Sequence, residues 1–174
     1  SGTLRVYDVN GDGTLATPPT DVDLQGYIAD VEPSPDGSVI YAVANTNSRI
    51  HVVDAQSLEV VDTFKAETMP YDLMISADGS VLYVSNLGSS SVQAIDTASG
   101  EQIARTSVGK GPQVMALAPD GTNLYVVCSD VDMIDVLSLP DLTRTRTIDV
   151  THSDDALGQG NLNGLAVSKD GARL

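Results

Sequence analysis

Residues 69–109 read MPYDLMISADGSVLYVSNLGSSSVQAIDTASGEQIARTSVG, four short apolar runs separated by turn signals. The runs 71–76 and 81–86 are β-rich and are joined by Ala77-Asp78-Gly79, where glycine supplies the positive-φ residue of a tight hairpin. A third run, 91–96, alternates apolar Val92 and Ala94 with polar Ser91 and Gln93 and stops at Thr97-Ala98-Ser99-Gly100, a second turn cluster. The fourth, 102–108, carries polar residues throughout, as a solvated edge strand does. The stretch therefore predicts one four-stranded antiparallel sheet.

The rest of the chain repeats it. Asp-Gly turns recur at Asp36-Gly37, Asp78-Gly79, Asp120-Gly121 and Asp170-Gly171, at intervals of 42, 42 and 50 residues. After the first three comes an apolar run around a tyrosine, Tyr41, Tyr83 or Tyr125. The third strands superimpose as LRVYD from Leu4, IHVVD from Ile50, VQAID from Val92 and IDVLS from Ile134. A period in the low forties with four strands per unit is that of a propeller blade, so the fold class is all-β, a β-propeller of four-stranded antiparallel blades.

SADGSVLYVSN followed by SVQAIDTASGEQIARTSVGKGP resembles the YVTN repeat of bacterial and archaeal β-propellers, a group similar to the seven-bladed lactonase-like and surface-layer proteins. The resemblance covers almost the whole chain and is strongest in 69–109. It implies a periplasmic or cell-surface location and a function drawn from scaffolding, binding or, in a minority, catalysis.

In the repeat frame, residues 3–24 give half a blade, 26–66, 69–109 and 111–150 give full blades, 151–160 are an insertion, and 161–174 start the next blade. The single domain thus supplies about four blade equivalents. Either the chain is a fragment of a larger propeller, or two copies join head to tail into a ring of about eight blades.

Of the charged residues 24 are acidic and 9 basic, giving a net charge of −15, and many aspartates sit in turns. That negative field disfavours nucleic acid and anionic membrane surfaces. No run has the length of a transmembrane helix, so membrane insertion is not expected. Cys128, the single cysteine, falls in an apolar strand position and reads as a small buried hydrophobe.

Two constellations carry candidate chemistry. Asp8-Val9-Asn10-Gly11-Asp12-Gly13 matches the first half of a calcium loop, with Asp8, Asn10 and Asp12 as oxygen ligands. The ninth and twelfth positions, Ala16 and Pro19, supply no ligand, and the same residues suit a plain hairpin between third and fourth strands. The second constellation lies where the first strand of each blade meets the central channel. Asp30 and Asp72 hold the same slot in neighbouring blades, with Tyr27, Tyr71, Gln113 and Asn163 around the same opening. Two adjacent carboxylates attract calcium, another divalent cation or a cationic ligand, or else share a proton. Alternatively, they hydrogen-bond backbone amides of adjacent blades and hold the ring together.

His51 shares its slot with Arg5, Gln93 and Asp135, which reads as a surface or inter-blade polar position. His152, Asp154 and Asp155 fall in the polar insertion, and the alternating arginines of Thr143-Arg144-Thr145-Arg146-Thr147 fit protection of an outer edge. The functional expectation is a non-enzymatic scaffold or binding module whose channel mouth and inter-blade loops take a protein, glycan or small molecule. The alternative is a lactonase-like, metal-assisted hydrolase with its site at the channel.

Overall fold

The computed structural model describes residues 2–150 and 162–174. Among the described residues fourteen strands form four antiparallel sheets in strict chain order. Strands β1 (Gly2–Val6) and β2 (Thr20–Leu24) make a two-stranded sheet. The first full blade is β3 (Ile28–Pro33), β4 (Val39–Ala44), β5 (Arg49–Asp54) and β6 (Val60–Lys65). The second is β7 (Pro70–Ile75), β8 (Val81–Asn86), β9 (Ser91–Asp96) and β10 (Gln102–Ser107). The third is β11 (Pro112–Leu117), β12 (Asn123–Cys128), β13 (Met133–Ser138) and β14 (Thr143–Asp149). The innermost strand β7 packs against β3 on one side and β11 on the other, which makes the sheets successive blades of a propeller.

The core lies between blades. Tyr41, Val43, Ile50 and Phe64 of the first blade meet Leu73, Leu82 and Ile95 of the second, and the Tyr41 and Phe64 ring centroids are 6.2 Å apart. Tyr83, Val92 and Ala94 of the second blade meet Met115, Leu124 and Leu137 of the third. Tyr41 and Tyr83 therefore face the following blade. The middle strands β8 and β9 are buried on both faces, which accounts for their near-continuous apolar runs. The outer strands β10 and β14 are mostly exposed. Gly100 shows how closely blades approach, because a Cβ there would lie 2.5 Å from the Phe64 ring of the preceding blade.

Each first hairpin is fastened by its aspartate. Asp36 Oδ1 accepts from Ser34 Oγ, Ser38 N and Ser38 Oγ, and Asp78 repeats this with Ser76 and Ser80. These bonds hold both carboxyls down at about 2, with the serine hydroxyl bond as the largest cause. Asp120 and Asp170 use the same chemistry and are also held low. A carboxyl lowered on folding stabilises the fold above its unfolded value near 4 and loses that contribution as pH falls toward 2. Thermal unfolding monitored by circular dichroism is thus expected to show Tm falling continuously between pH 4 and 2, less steeply in Asp78→Asn.

Three sequence expectations shift. The third strand of the half blade, expected at 4–8, lies at Gly2–Val6, because Asp8 O instead accepts from Ala16 N and Val9 bridges to Leu15 in a separate hairpin. Residues 162–174 form no strand, although Ser168, Asp170 and Gly171 make the same turn as the other hairpins. The alternating arginines do more than protect an edge, since Arg144 turns inward to the buried Asp135 at 3.4 Å. The insertion 151–160, with His152, Asp154 and Asp155, lies outside the described residues.

Candidate functional site at the channel mouth

The innermost strands share one irregularity. Register shifts fall between Ile28 and Asp30 in β3, Pro70 and Leu73 in β7, and Pro112 and Met115 in β11. A bulge re-aims the side chains beside it. The re-aimed residues include Asp30 and Asp72, and each carboxylate reaches into the next blade. Asp30 Oδ2 accepts from Leu73 N at 3.0 Å, and Asp72 Oδ2 accepts from Met115 N at 2.6 Å. Ser85 extends the connection, accepting from Asp72 N at 3.1 Å and donating to the Gln113 carbonyl at 2.7 Å. Two of the candidate carboxylates are therefore inter-blade clamps.

They are also an electrostatic cluster. Asp72 is pushed up to about 7, first by burial and then by the Asp30 charge, a hydrogen bond to Asp30 and the Glu32 charge, against the pull of Met115 N–H. Glu32 is itself raised by burial and by Asp30. The sequence reading omitted Glu32, although its place two residues after Asp30 on one strand was a usable signal.

The remaining candidates make no side-chain hydrogen bond to these carboxylates. Tyr27 and Tyr71 expose their rings, at 66% and 37%. Gln113 is half-buried and joins the site through its backbone carbonyl. Asn163 is exposed, in residues that form no strand, and the structure shows no contact from it to the carboxylates. Asp8, Asn10 and Asp12 stay within their own hairpin. Asp12 Oδ1 accepts from Thr14 N and Thr14 Oγ1, and Asn10 Nδ2 donates to Thr14 Oγ1. Among the described residues no three His, Cys, Asp or Glu side chains group as a metal site would need.

A second set of polar residues joins the blades farther from the axis. His51 Nε2 lies 3.2 Å from the Gln25 carbonyl, Gln93 Nε2 donates to the Lys65 carbonyl at 3.1 Å, and Asp135 Oδ2 accepts from Gly109 N at 2.9 Å. The slot that varies in charge along the sequence is thus an inter-blade latch. Cys128 sits beside Asp135, and burial followed by that charge pushes its thiol up to about 12.

With this geometry in place, the comparisons assign the class. The chain belongs to the family described as Lactonase, 7-bladed beta-propeller, whose model matches residues 2–101. Among solved structures it is similar to the hydrazine synthase of Kuenenia stuttgartiensis, with 30% identity and a TM-score of 0.69 over 74% of this chain and 37% of that one. It is also similar to a putative 6-phosphogluconolactonase from Bacteroides fragilis, at 19% identity and a TM-score of 0.79, covering 97% of this chain and 55% of that one. A protein from Lactobacillus plantarum matches at 21% identity and a TM-score of 0.75, over 84% of this chain and 51% of that one. The chain thus spans between 37% and 55% of the length of these structures. A search of curated proteins finds no match.

Proposed function

We propose that the channel mouth binds an uncharged, hydroxyl-rich small molecule of the lactone class and that Asp72 exchanges a proton with it. The observation that carries this reading is the Asp72 carboxyl, pushed up to about 7 beside Asp30 and Glu32. A carboxyl poised near neutral pH can take a proton from a water attacking a lactone carbonyl and return it to the departing ring oxygen. Perturbed carboxyls in concave sites are candidates for such work. Family membership and the fold shared with a putative 6-phosphogluconolactonase support the substrate class. The charge argues for a member without phosphate, because a phosphate would meet three carboxyl groups at the mouth. Tyr27, Tyr71, Gln113 and Asn163 would serve hydroxyl recognition at the rim.

Asp30 and Asp72 each spend one oxygen on a backbone amide, and among the described residues they belong to no group of three metal-binding side chains.

A second reading, a non-enzymatic module that takes a protein, glycan or small molecule at the periplasmic or outer surface, is favoured by the same two amide clamps. The test is hydrolysis of glucono-δ-lactone followed by proton release between pH 5 and 9. The hydrolytic reading expects acceleration over buffer that rises through a midpoint near 7 and falls about 100-fold in Asp72→Asn. Saturable binding by calorimetry without acceleration supports the module, and neither binding nor acceleration overturns both.

A further inference from the structure

A cleft of about 540 Å³ opens between the first and second blades, away from the channel mouth. Asp62, Lys65, Glu67, Gln93, Glu101 and Gln102 are among its lining residues, three carboxylates against one ammonium. Gln93 forms part of its floor and is 4% exposed. Its Nε2 donates to the carbonyl of Lys65, which also lines the cleft, while its Oε1 is buried with no partner. A buried acceptor left unpaired costs about 1–3 kcal/mol and needs a reason.

The third blade shows what fills the equivalent place. There the latch residue is Asp135, and Arg144 of the adjoining strand brings its guanidinium to 3.4 Å from Asp135 Oδ2. Arg144 pairs with Leu137 across the ladder. In the second blade Gln102 pairs with Ile95, the residue in Leu137's position, so Gln102 stands where Arg144 stands. Its side chain hydrogen-bonds to none of the described residues. The guanidinium of Arg105, which stands opposite Gln93 on the ladder, is bound to Glu67 at 2.9 Å and to Ser107 at 3.0 Å. The second blade keeps the acceptor, but its own guanidinium is spent on Glu67, and Asp62 and Glu101 have no ion pair among the described residues.

We propose that this cleft receives an arginine side chain from a partner protein, with the guanidinium donating to Gln93 Oε1 between the acidic walls. Free arginine fits less well, because its own carboxylate would face Asp62, Glu67 and Glu101. Guanidinium is preferred to ammonium for its planar fork of donors, which can serve the amide oxygen and a carboxylate together.

The test uses the 174-residue chain labelled with nitrogen-15. Acetyl-arginine-amide, its neutral citrulline counterpart, its lysine counterpart and free arginine are each titrated while the Gln93 side-chain amide resonances are followed. Saturable shifts with acetyl-arginine-amide are expected, at least fivefold weaker with each of the other three probes. Gln93→Leu should weaken acetyl-arginine-amide binding at least fivefold, and Gln93→Glu should strengthen it at least threefold by adding charge to the hydrogen bond. Because the two variants move in opposite directions, loss of fold in one leaves the other decisive. Absence of saturation, equal binding by the citrulline or lysine probe, or an unchanged response in a folded Gln93 variant would overturn the assignment. Binding by free arginine at equal strength would overturn the partner-protein source.

Discussion

Asp135→Ala is expected to cost about 2–4 kcal/mol, because two donors lose their buried acceptor at about 1–3 kcal/mol each. Asp135 is 1% exposed and serves three donors at once. It accepts from Gly109 N on the link between blades, from Thr147 Oγ1 and from Arg144 on β14. Removing the carboxylate strands the Gly109 amide and the Thr147 hydroxyl, and Arg144, half-exposed, can recover only by turning back to water. Asp135→Asn keeps an oxygen for Gly109 N and should cost about 1–2 kcal/mol, the worth of the lost charge. Urea unfolding followed by circular dichroism separates the two. A cost below about 1 kcal/mol for the alanine variant would show that the apolar contacts alone hold the second and third blades together.

Stability is expected to fall as pH rises from 4 through 7, opposite to the trend set by the turn aspartates below pH 4. Asp72 is raised on folding, so between its unfolded value near 4 and about 7 the folded state holds the extra proton. Fewer bound protons in the unfolded state mean that stability declines with rising pH over that window. Glu32, also raised, adds in the same direction. Asp72→Asn removes the titration and keeps an oxygen for Met115 N. It should stabilise the protein by about 2 kcal/mol at pH 8, roughly half the full linkage value because a neutral amide oxygen is the weaker acceptor. At pH 3, below both values, Asp72 is neutral in the folded and unfolded states alike and that gain should be absent. Thermal scans at the two pH values check both parts. A variant less stable than its parent at pH 8 would mean that Asp72 acts as an ordinary ionised clamp.

The blades were legible because each carries its own local instructions: an Asp-Gly turn, a tyrosine in a doubly buried strand and a polar outer strand. The pairing of Asp30 with Asp72 was legible too, since equal places in the repeat put them side by side. Their hydrogen-bond partners were harder to read. Leu73 N and Met115 N are backbone groups, which no sequence pattern marks, and the bulges that aim the carboxylates at them depend on strand register. The clamp is also not strictly repeated, because Val114 takes the slot in the third blade, so periodicity alone would have predicted one link too many. His51, Gln93 and Asp135 show the same limit from the other side. Three chemically different residues do one inter-blade job, so their variety pointed to an inter-blade or surface place without naming the partners. Arg144 was read as edge protection because a strand pattern does not reveal that a buried carboxylate lies within reach.

At the channel mouth Asp72, beside Asp30, keeps a proton near neutral pH while both carboxyls tie neighbouring blades. Carbon-13 titration of the aspartate side-chain carboxyls tests it directly. The expected result is a midpoint near 7 for Asp72, moving down toward the ordinary carboxyl range in Asp30→Asn as the neighbouring charge is removed. A midpoint near 4 for Asp72, unmoved by that substitution, would contradict the claim.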